Sequence, residues 1–200
     1  VTPSEFLGLN DVDKLTYVVL DVDSLVENND PSIPFDFKDF IANGHNYKSA
    51  FAKYAYVADV LISCHFWSPG HPVYLDNDLL KDPSLNIRVI GDITCDIQGS
   101  IMSTLRASTH DEPFYDFCTE TLSEESPFSN PENITVMAVD TCPNALALDT
   151  SRYFGEALSE HVFPLILSGR TDDPIIERAT ILKDGRLTDR YIYLKEYAGL

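Results

Sequence analysis

Three short stretches of this 200-residue chain hold side chains able to do chemistry: Cys64-His-Phe-Trp67, Asp92-Ile-Thr-Cys-Asp96 and Asp140-Thr-Cys142. A carboxylate pair spaced as Asp92 and Asp96, at a strand end, could hold a cationic amine or the hydroxyls of a ribose. The plainer reading has one acid closing a turn and the other solvated. Asp140, just before Pro143, could meet a ribose or a nicotinamide, or close an Asx turn. Cys64, His65 and His71 are close in sequence, but Pro69-Gly70 breaks regular geometry between them and zinc needs more ligands, so no metal is expected. His65 reads as a pocket wall or a satisfied core residue. Cys142 has no basic neighbour in sequence to lower its pKa and reads as a buried thiol. Asn133-Ile-Thr135 fits a glycosylation sequon, read as chance because no basic-then-apolar leader opens the chain. Ser123-Glu-Glu-Ser126 reads as a solvated acidic loop.

Each chemical stretch follows a strand-like run. Asp59–Cys64 reads as a buried strand, and Asn86–Ile93 and Ile134–Val139 as two more; the continuous, β-branched apolar run that suits a strand covered on both faces is Thr16–Asp21. Tyr47–Ala58 reads as a helix presenting Tyr47, Phe51, Tyr54 and Ala58, and Asp76–Leu80 as a short one. Ser103–Asn133, rich in Pro and acids, reads as an excursion with a small hairpin. Asp149–Ser168 is the longest helical pattern, kinked at Pro164 and ended by Gly169. A helix starts near Pro174, Asp184-Gly185 turns the chain, and Thr188 caps a final helix. Strands alternating with helices predict an α/β fold with a parallel sheet, where ligands bind beyond the carboxyl ends of strands.

The chain carries 14 Lys and Arg against 32 Asp and Glu, a net charge of −18. That charge repels phosphates and anionic lipid, so neither nucleic acid nor a membrane surface is an expected partner. No apolar run approaches the ~20 residues needed to span a bilayer. The four cysteines lack any Cys-x-x-Cys pair, which points to reduced, mostly buried thiols in a cytoplasmic protein. There is no Gly-x-Gly-x-x-Gly and no Walker loop, so a nucleotide fold here would lack its phosphate loop.

Four segments, in order, resemble the lysine–ketoglutarate reductases, the reductase half of the lysine–ketoglutarate reductase/saccharopine dehydrogenase family. Asp92-Ile-Thr-Cys-Asp96-Ile-Gln-Gly-Ser-Ile101 resembles their Asp-Ile-Ser-Ala-Asp-x-x-Gly-Ser-Ile, and Leu61-Ile-Ser-Cys-His-Phe-Trp67 their Leu-Ile-Asn-Gly-Ile-Tyr-Trp. Val139-Asp-Thr-Cys-Pro143 is similar to Ile-Asp-Asn-Leu-Pro, and Arg178–Tyr193 to the family's ending, which closes on Gly-x-Leu-x-Asp-x-Tyr-x-Tyr. The wider group includes the carboxyl-terminal domain of alanine dehydrogenase and transhydrogenase.

The resemblance implies a Rossmann-like NAD(P)-binding domain over residues 1–170, lacking its first strand and Gly-rich loop, with a helical extension over 171–200 that packs on a preceding domain. It implies that Phe66, Ile93, Val139, Asp140, Thr141 and Cys142 contact the cofactor, and that Thr94, Cys95 and Asp96 contact the substrate. Thr94 and Cys95 stand where the family has Ser and Ala, and Phe66 lacks the phenol hydroxyl of its Tyr. The acid/base Lys and His of the family would lie in the preceding domain, so no catalytic residue is expected here and the chain alone is expected to be inactive. Thr2 and Ser4 are neutral where NAD binders often carry an acid, favouring NADP over NAD. The expected reaction joins lysine and 2-oxoglutarate and reduces their imine, in a protein that could be a homodimer. The alternatives are a saccharopine- or alanine-dehydrogenase-like enzyme, or a non-catalytic acidic α/β module that binds a partner.

Overall fold

A computed structural model describes residues 1–10 and 13–199. They divide into two units, Val1–Cys142 and the residues from Pro143 onward.

The first unit opens with α1 (Pro3–Leu7), α2 (Val22–Leu25), β1 (Val26–Asn28), α3 (Phe37–Ala42), β2 (Tyr47–Ser49) and α4 (Ala52–Ala55). It continues with β3 (Val60–Ser63), α5 (Asn77–Leu80), β4 (Val89–Asp92), β5 (Phe114–Cys118), β6 (Ser123–Glu125) and β7 (Ile134–Met137). Five strands form one sheet in the order β3-β4-β7-β5-β6. β3, β4 and β7 are parallel, with Val60 beside Val89 and Val89 beside Thr135. β5 runs antiparallel to both β7 and β6, so the sheet is mixed. This is an α/β fold with a parallel core, consistent with a partial Rossmann-like domain.

The three parallel strands fall where their apolar runs predict, but β3 is not buried as expected: Val60 and Ile62 are 52% and 60% exposed, and Val89 beside them on β4 is 42% exposed, so the sheet is covered on one face there. Leu75, Ile87, Ile90, Ile101, Tyr115, Phe117, Ile134 and Val136 are all essentially inaccessible and build the core on one face, each worth about 1.5–3 kcal/mol of burial. The Ser103–Asn133 excursion does contain a hairpin, and β5 adds it to the main sheet beside β7.

Three expectations are corrected. Thr16–Asp21 forms no strand: Tyr17 and Val19 are each 73% exposed, and only Val18 and Leu20 pack on the core. A β-branched run becomes a strand only where a neighbour accepts its ladder, and among the described residues none pairs with it. Tyr47–Ala58 is not one helix. Its first residues pair with β1, Val26 opposite Ser49, and only Ala52–Ala55 is helical. Tyr47, Phe51 and Tyr54 are buried all the same, so the spacing reported burial rather than helix. Ser123–Glu125 is a strand, not a loop, exposed along its length.

The second unit holds α6 (Ala147–His161), α7 (Phe163–Leu167), α8 (Pro174–Ala179), β8 (Leu182–Lys183) and β9 (Arg186–Leu187). The break between α6 and α7 falls at Val162, with Pro164 in the first turn of α7. Gly169, at φ +73°, follows α7. Asp173 caps α8 through the Ile175 amide. Asp184 and Gly185, at φ +51° and +77°, turn β8 into β9. The final element is a 3₁₀ turn, Asp189–Leu194, rather than an amphipathic α-helix. Thr188 precedes it without capping it, because its hydroxyl donates to the Thr180 carbonyl instead.

Candidate functional site

β3, β4 and β7 run the same way in adjacent register, so their carboxyl ends, at Ser63, Asp92 and Met137, lie along one sheet edge. The three chemical stretches leave from that edge, where open α/β sheets bind ligands. Hydrogen bonds tie them together. The Ile93 amide donates to the Ser63 carbonyl at 2.9 Å, and the Cys95 thiol donates to the Ala138 carbonyl at 3.2 Å.

Phe66 is 78% exposed, Ile93 and Ile97 are about half exposed, and Asp140 and Thr141 are exposed. Thr94, Cys95, Asp96 and Cys142 are half-buried. Val139 is buried, and its carbonyl accepts the Cys142 thiol at 3.0 Å, so it meets the edge through its backbone.

The structure separates the two acids of the first pair. Asp92 is fully buried. One of its oxygens accepts the Thr94 amide at 3.1 Å and the Thr94 hydroxyl at 2.6 Å; the other accepts the Thr104 hydroxyl at 2.6 Å. Asp96 is half-buried, and among the described residues no hydrogen bond fills its carboxylate or that of Asp140. The turn reading therefore fits Asp92, and Asp96 and Asp140 are left with free acceptors.

His65 is a satisfied residue lining this edge. Its Nδ1 lies 3.2 Å from the Ser63 hydroxyl and its Nε2 2.7 Å from that of Ser100, with Tyr74 stacked edge-on at 4.7 Å. Burial lowers its pKa, against smaller opposing effects of Asp92 and Asp96. His71 turns to Ser68 and Phe40 instead, so Cys64, His65 and His71 do not converge. Of the cysteines, Cys118 alone is buried and Cys64 is exposed, which corrects the expectation of mostly buried thiols. Cys142 is likewise only half-buried. Burial, then the charges of Asp140, Asp92 and Asp96, raise the pKa of Cys95, which keeps it a thiol rather than a nucleophile.

Sequence reasoning missed the second layer. Ser108 bridges to Val139, donating its amide to the Ala138 carbonyl at 2.8 Å and accepting the Ala138 amide at 3.0 Å. This carries His110 to the edge, its Nε2 3.0 Å from the Thr141 carbonyl. Thr104 and Ser100 are fully buried partners of Asp92 and His65. No local pattern marks these residues, because each acts on a strand end far away in sequence.

Phe66, Ile93 and Ile97 present exposed apolar groups at this edge, and Asp140 and Thr141 exposed acceptors and a hydroxyl, the residue types that could hold the nicotinamide ribose half of a dinucleotide. None of the three stretches carries Lys, Arg or a Gly-x-Gly turn for a pyrophosphate. Thr2, one of the neutral residues read as favouring NADP, is committed to Glu5: its amide and hydroxyl each donate to the Glu5 carboxylate at 2.8 Å.

No protein-family model matches the chain. It is 35% identical over 176 residues to the alpha-aminoadipic semialdehyde synthase of Arabidopsis thaliana, a match covering 85% of this chain and 16% of the relative. It is 28% identical over 116 residues to the mitochondrial alpha-aminoadipic semialdehyde synthases of Mus musculus and Bos taurus, matches covering 54% of this chain and 12% of each relative. The chain thus spans less than a fifth of the length of these relatives. Among the described residues no helix is long and apolar enough to cross a membrane. The parallel sheet, the strand-end segments on one edge and these relatives agree: over most of its length the chain is similar to alpha-aminoadipic semialdehyde synthase, which supports the lysine–ketoglutarate reductase/saccharopine dehydrogenase family.

Proposed function

We propose that the complete protein carrying this chain reduces the imine of lysine and 2-oxoglutarate to saccharopine, and that the chain provides the sheet edge on which substrate and cofactor meet. The observation that carries this reading is the convergence of Phe66, the Ile93–Asp96 segment and the Asp140–Cys142 segment on one carboxyl edge, in a chain similar to alpha-aminoadipic semialdehyde synthase. NADPH or NADH would supply the hydride that adds to the imine carbon.

The roles follow from which groups are free. Asp96 has open acceptors and would take the substrate ammonium in a charge-assisted hydrogen bond. The Thr94 hydroxyl donates its proton to Asp92 and accepts the Asp96 amide at 3.4 Å, so one lone pair is left to accept from the substrate. Cys95 packs the turn and stays protonated. Phe66 and Ile93 would flank the nicotinamide, and Asp140 and Thr141 would hold its ribose. Val139 and Cys142 shape that loop from behind. His65 is held by two serines, with its pKa lowered by burial, and is a poor proton donor. The proton that the imine nitrogen needs would come from a group outside this chain, on a preceding domain that also completes the pyrophosphate site.

The test is loss of NADPH or NADH absorbance with lysine plus 2-oxoglutarate, using the complete protein beside this chain alone. Turnover by the complete protein and none by the chain is expected. Turnover only with another amino acid and keto acid would replace the substrate. Failure of the complete protein to bind either dinucleotide would overturn the reading and favour an acidic interaction module.

A further inference from the structure

The proposed reaction makes no use of the buried carboxylate beneath the site. Asp92 accepts three hydrogen bonds, two from Thr94 and one from Thr104, twelve positions away. The Thr104 carbonyl in turn accepts the Gln98 amide at 2.8 Å. Asp92 and Thr104 therefore clamp the segment 94–98 at both ends.

That segment needs a clamp. Cys95 and Gln98 sit in the left-handed region, at φ +53° and +48°. Non-glycine residues remain there only where their surroundings hold them. Asp96 lies between the two. Gly99 closes the turn, its amide donating to the Asp96 carbonyl at 2.9 Å. A Cβ on Gly99 would come within 2.7 Å of the Asp96 Cβ and 3.2 Å of the Trp67 ring. The backbone from which Asp96 projects is thus fixed by contacts that leave its carboxylate unused.

We infer that Asp92 is a positioning residue: through Thr94 and Thr104 it holds the 93–99 turn in the left-handed form that sets Asp96 for a ligand amino group. The amino group as ligand rests on the function proposed above; the clamp does not, and the test separates the two. Asp92→Ala, Thr104→Val and Asp92→Asn are compared in the complete protein. The readouts are KM for lysine, KM for the dinucleotide, Tm, and amide hydrogen exchange across 93–99. Thr104→Val is the key variant, because Thr104 is fully buried, cannot touch a ligand, and keeps its shape as Val.

Losing one hydrogen bond to a carboxylate corresponds to about ten-fold in affinity. Asp92→Ala and Thr104→Val are expected to raise the lysine KM by at least about that factor. The dinucleotide KM should change less, and exchange at the Thr94 and Gln98 amides should accelerate. Asp92→Asn can still accept from Thr94 and donate to a turned Thr104 hydroxyl, so it should recover most of the loss. A lower Tm in Thr104→Val with an unchanged lysine KM would reduce the clamp to a structural contact and overturn the inference. If the wild type does not turn over lysine, the reaction reading fails and exchange alone decides. Acceleration confined to 93–99 in Thr104→Val supports the clamp, and unchanged protection there overturns it.

Discussion

The β5–β6 hairpin and the carboxyl edge of β3, β4 and β7 are both rich in acids, yet they use them in opposite ways. In the hairpin the three acids on its strands, Asp116, Glu124 and Glu125, are filled, and Glu120 at its turn is exposed. Asp116 is 1% exposed and accepts the Ser129 amide at 3.0 Å and the Thr135 hydroxyl at 2.9 Å. Burial alone would raise its pKa, but hydrogen bonds from Phe128, Thr135, Ser129 and Asn130 outweigh it and hold the pKa below the usual value. Glu124 accepts from Nε and Nη2 of Arg106 at 2.9 and 2.8 Å, and that hydrogen bonding is the main cause of its lowered pKa. Glu125 accepts the Asn133 side-chain amide at 2.8 Å, which occupies the nitrogen a glycan would need. At the carboxyl edge, Asp92 is filled in the same way, while Asp96 and Asp140 are not. An acid with every acceptor used holds the fold; an acid left open at a strand end is available to a ligand.

The largest expected effect comes from emptying the open position. Asp96→Ala in the complete protein should lower kcat/KM for lysine about a hundred-fold, the upper range for one charged hydrogen bond. Its Tm should hardly move, because no described residue relies on that carboxylate. An Asp96→Ala protein with a collapsed Tm would break the comparison. Next is Asp116→Ala, which should cost about 2–3 kcal/mol of stability in denaturant titration, since it strands buried partners. Its lysine KM should stay at the wild-type value.

A smaller effect is read from pH. The pKa of His65 is lowered in the fold, so the unfolded chain binds a proton at higher pH than the folded one does. Its contribution is complete above its unfolded value of about 6.5 and is lost as pH falls from there towards the folded pKa. Tm should therefore drop on acidification below about pH 6.5, and His65→Gln should flatten that part of the profile. Asp116 adds a separate loss at lower pH: its stabilisation is present above the unfolded carboxylate value and disappears as pH falls through its lowered folded pKa. The smallest effect is Arg106→Ala. The pair with Glu124 is partly exposed, 39% on each side chain, and should contribute less than about 1 kcal/mol, weaker still in high salt.

What the sequence disclosed follows the range of the interactions. Val60–Ser63, Val89–Asp92 and Ile134–Met137 were legible because a strand covered by a core is written as a local apolar run. Their chemical ends followed, since parallel strands share a carboxyl edge. Thr16–Asp21 has the same composition but no partner, and pairing is not encoded in the run itself. β5 joins β7 across the Ser103–Asn133 excursion through register alone. Thr104 and His110 were invisible for the same reason. Each is an ordinary polar residue until folding brings it to Asp92 or Thr141. The left-handed Cys95 and Gln98 were also hidden, because neither is the glycine or asparagine that usually announces such a turn.

The most direct test of the central claim is amide hydrogen exchange of the complete protein with and without dinucleotide plus lysine. Ligand-induced protection should fall on residues 64–67, 93–99 and 138–142, and leave the hairpin over 114–125 unchanged. Protection confined to the hairpin, or none at the three strand ends under saturating ligand, would contradict the assignment of the site to the carboxyl edge.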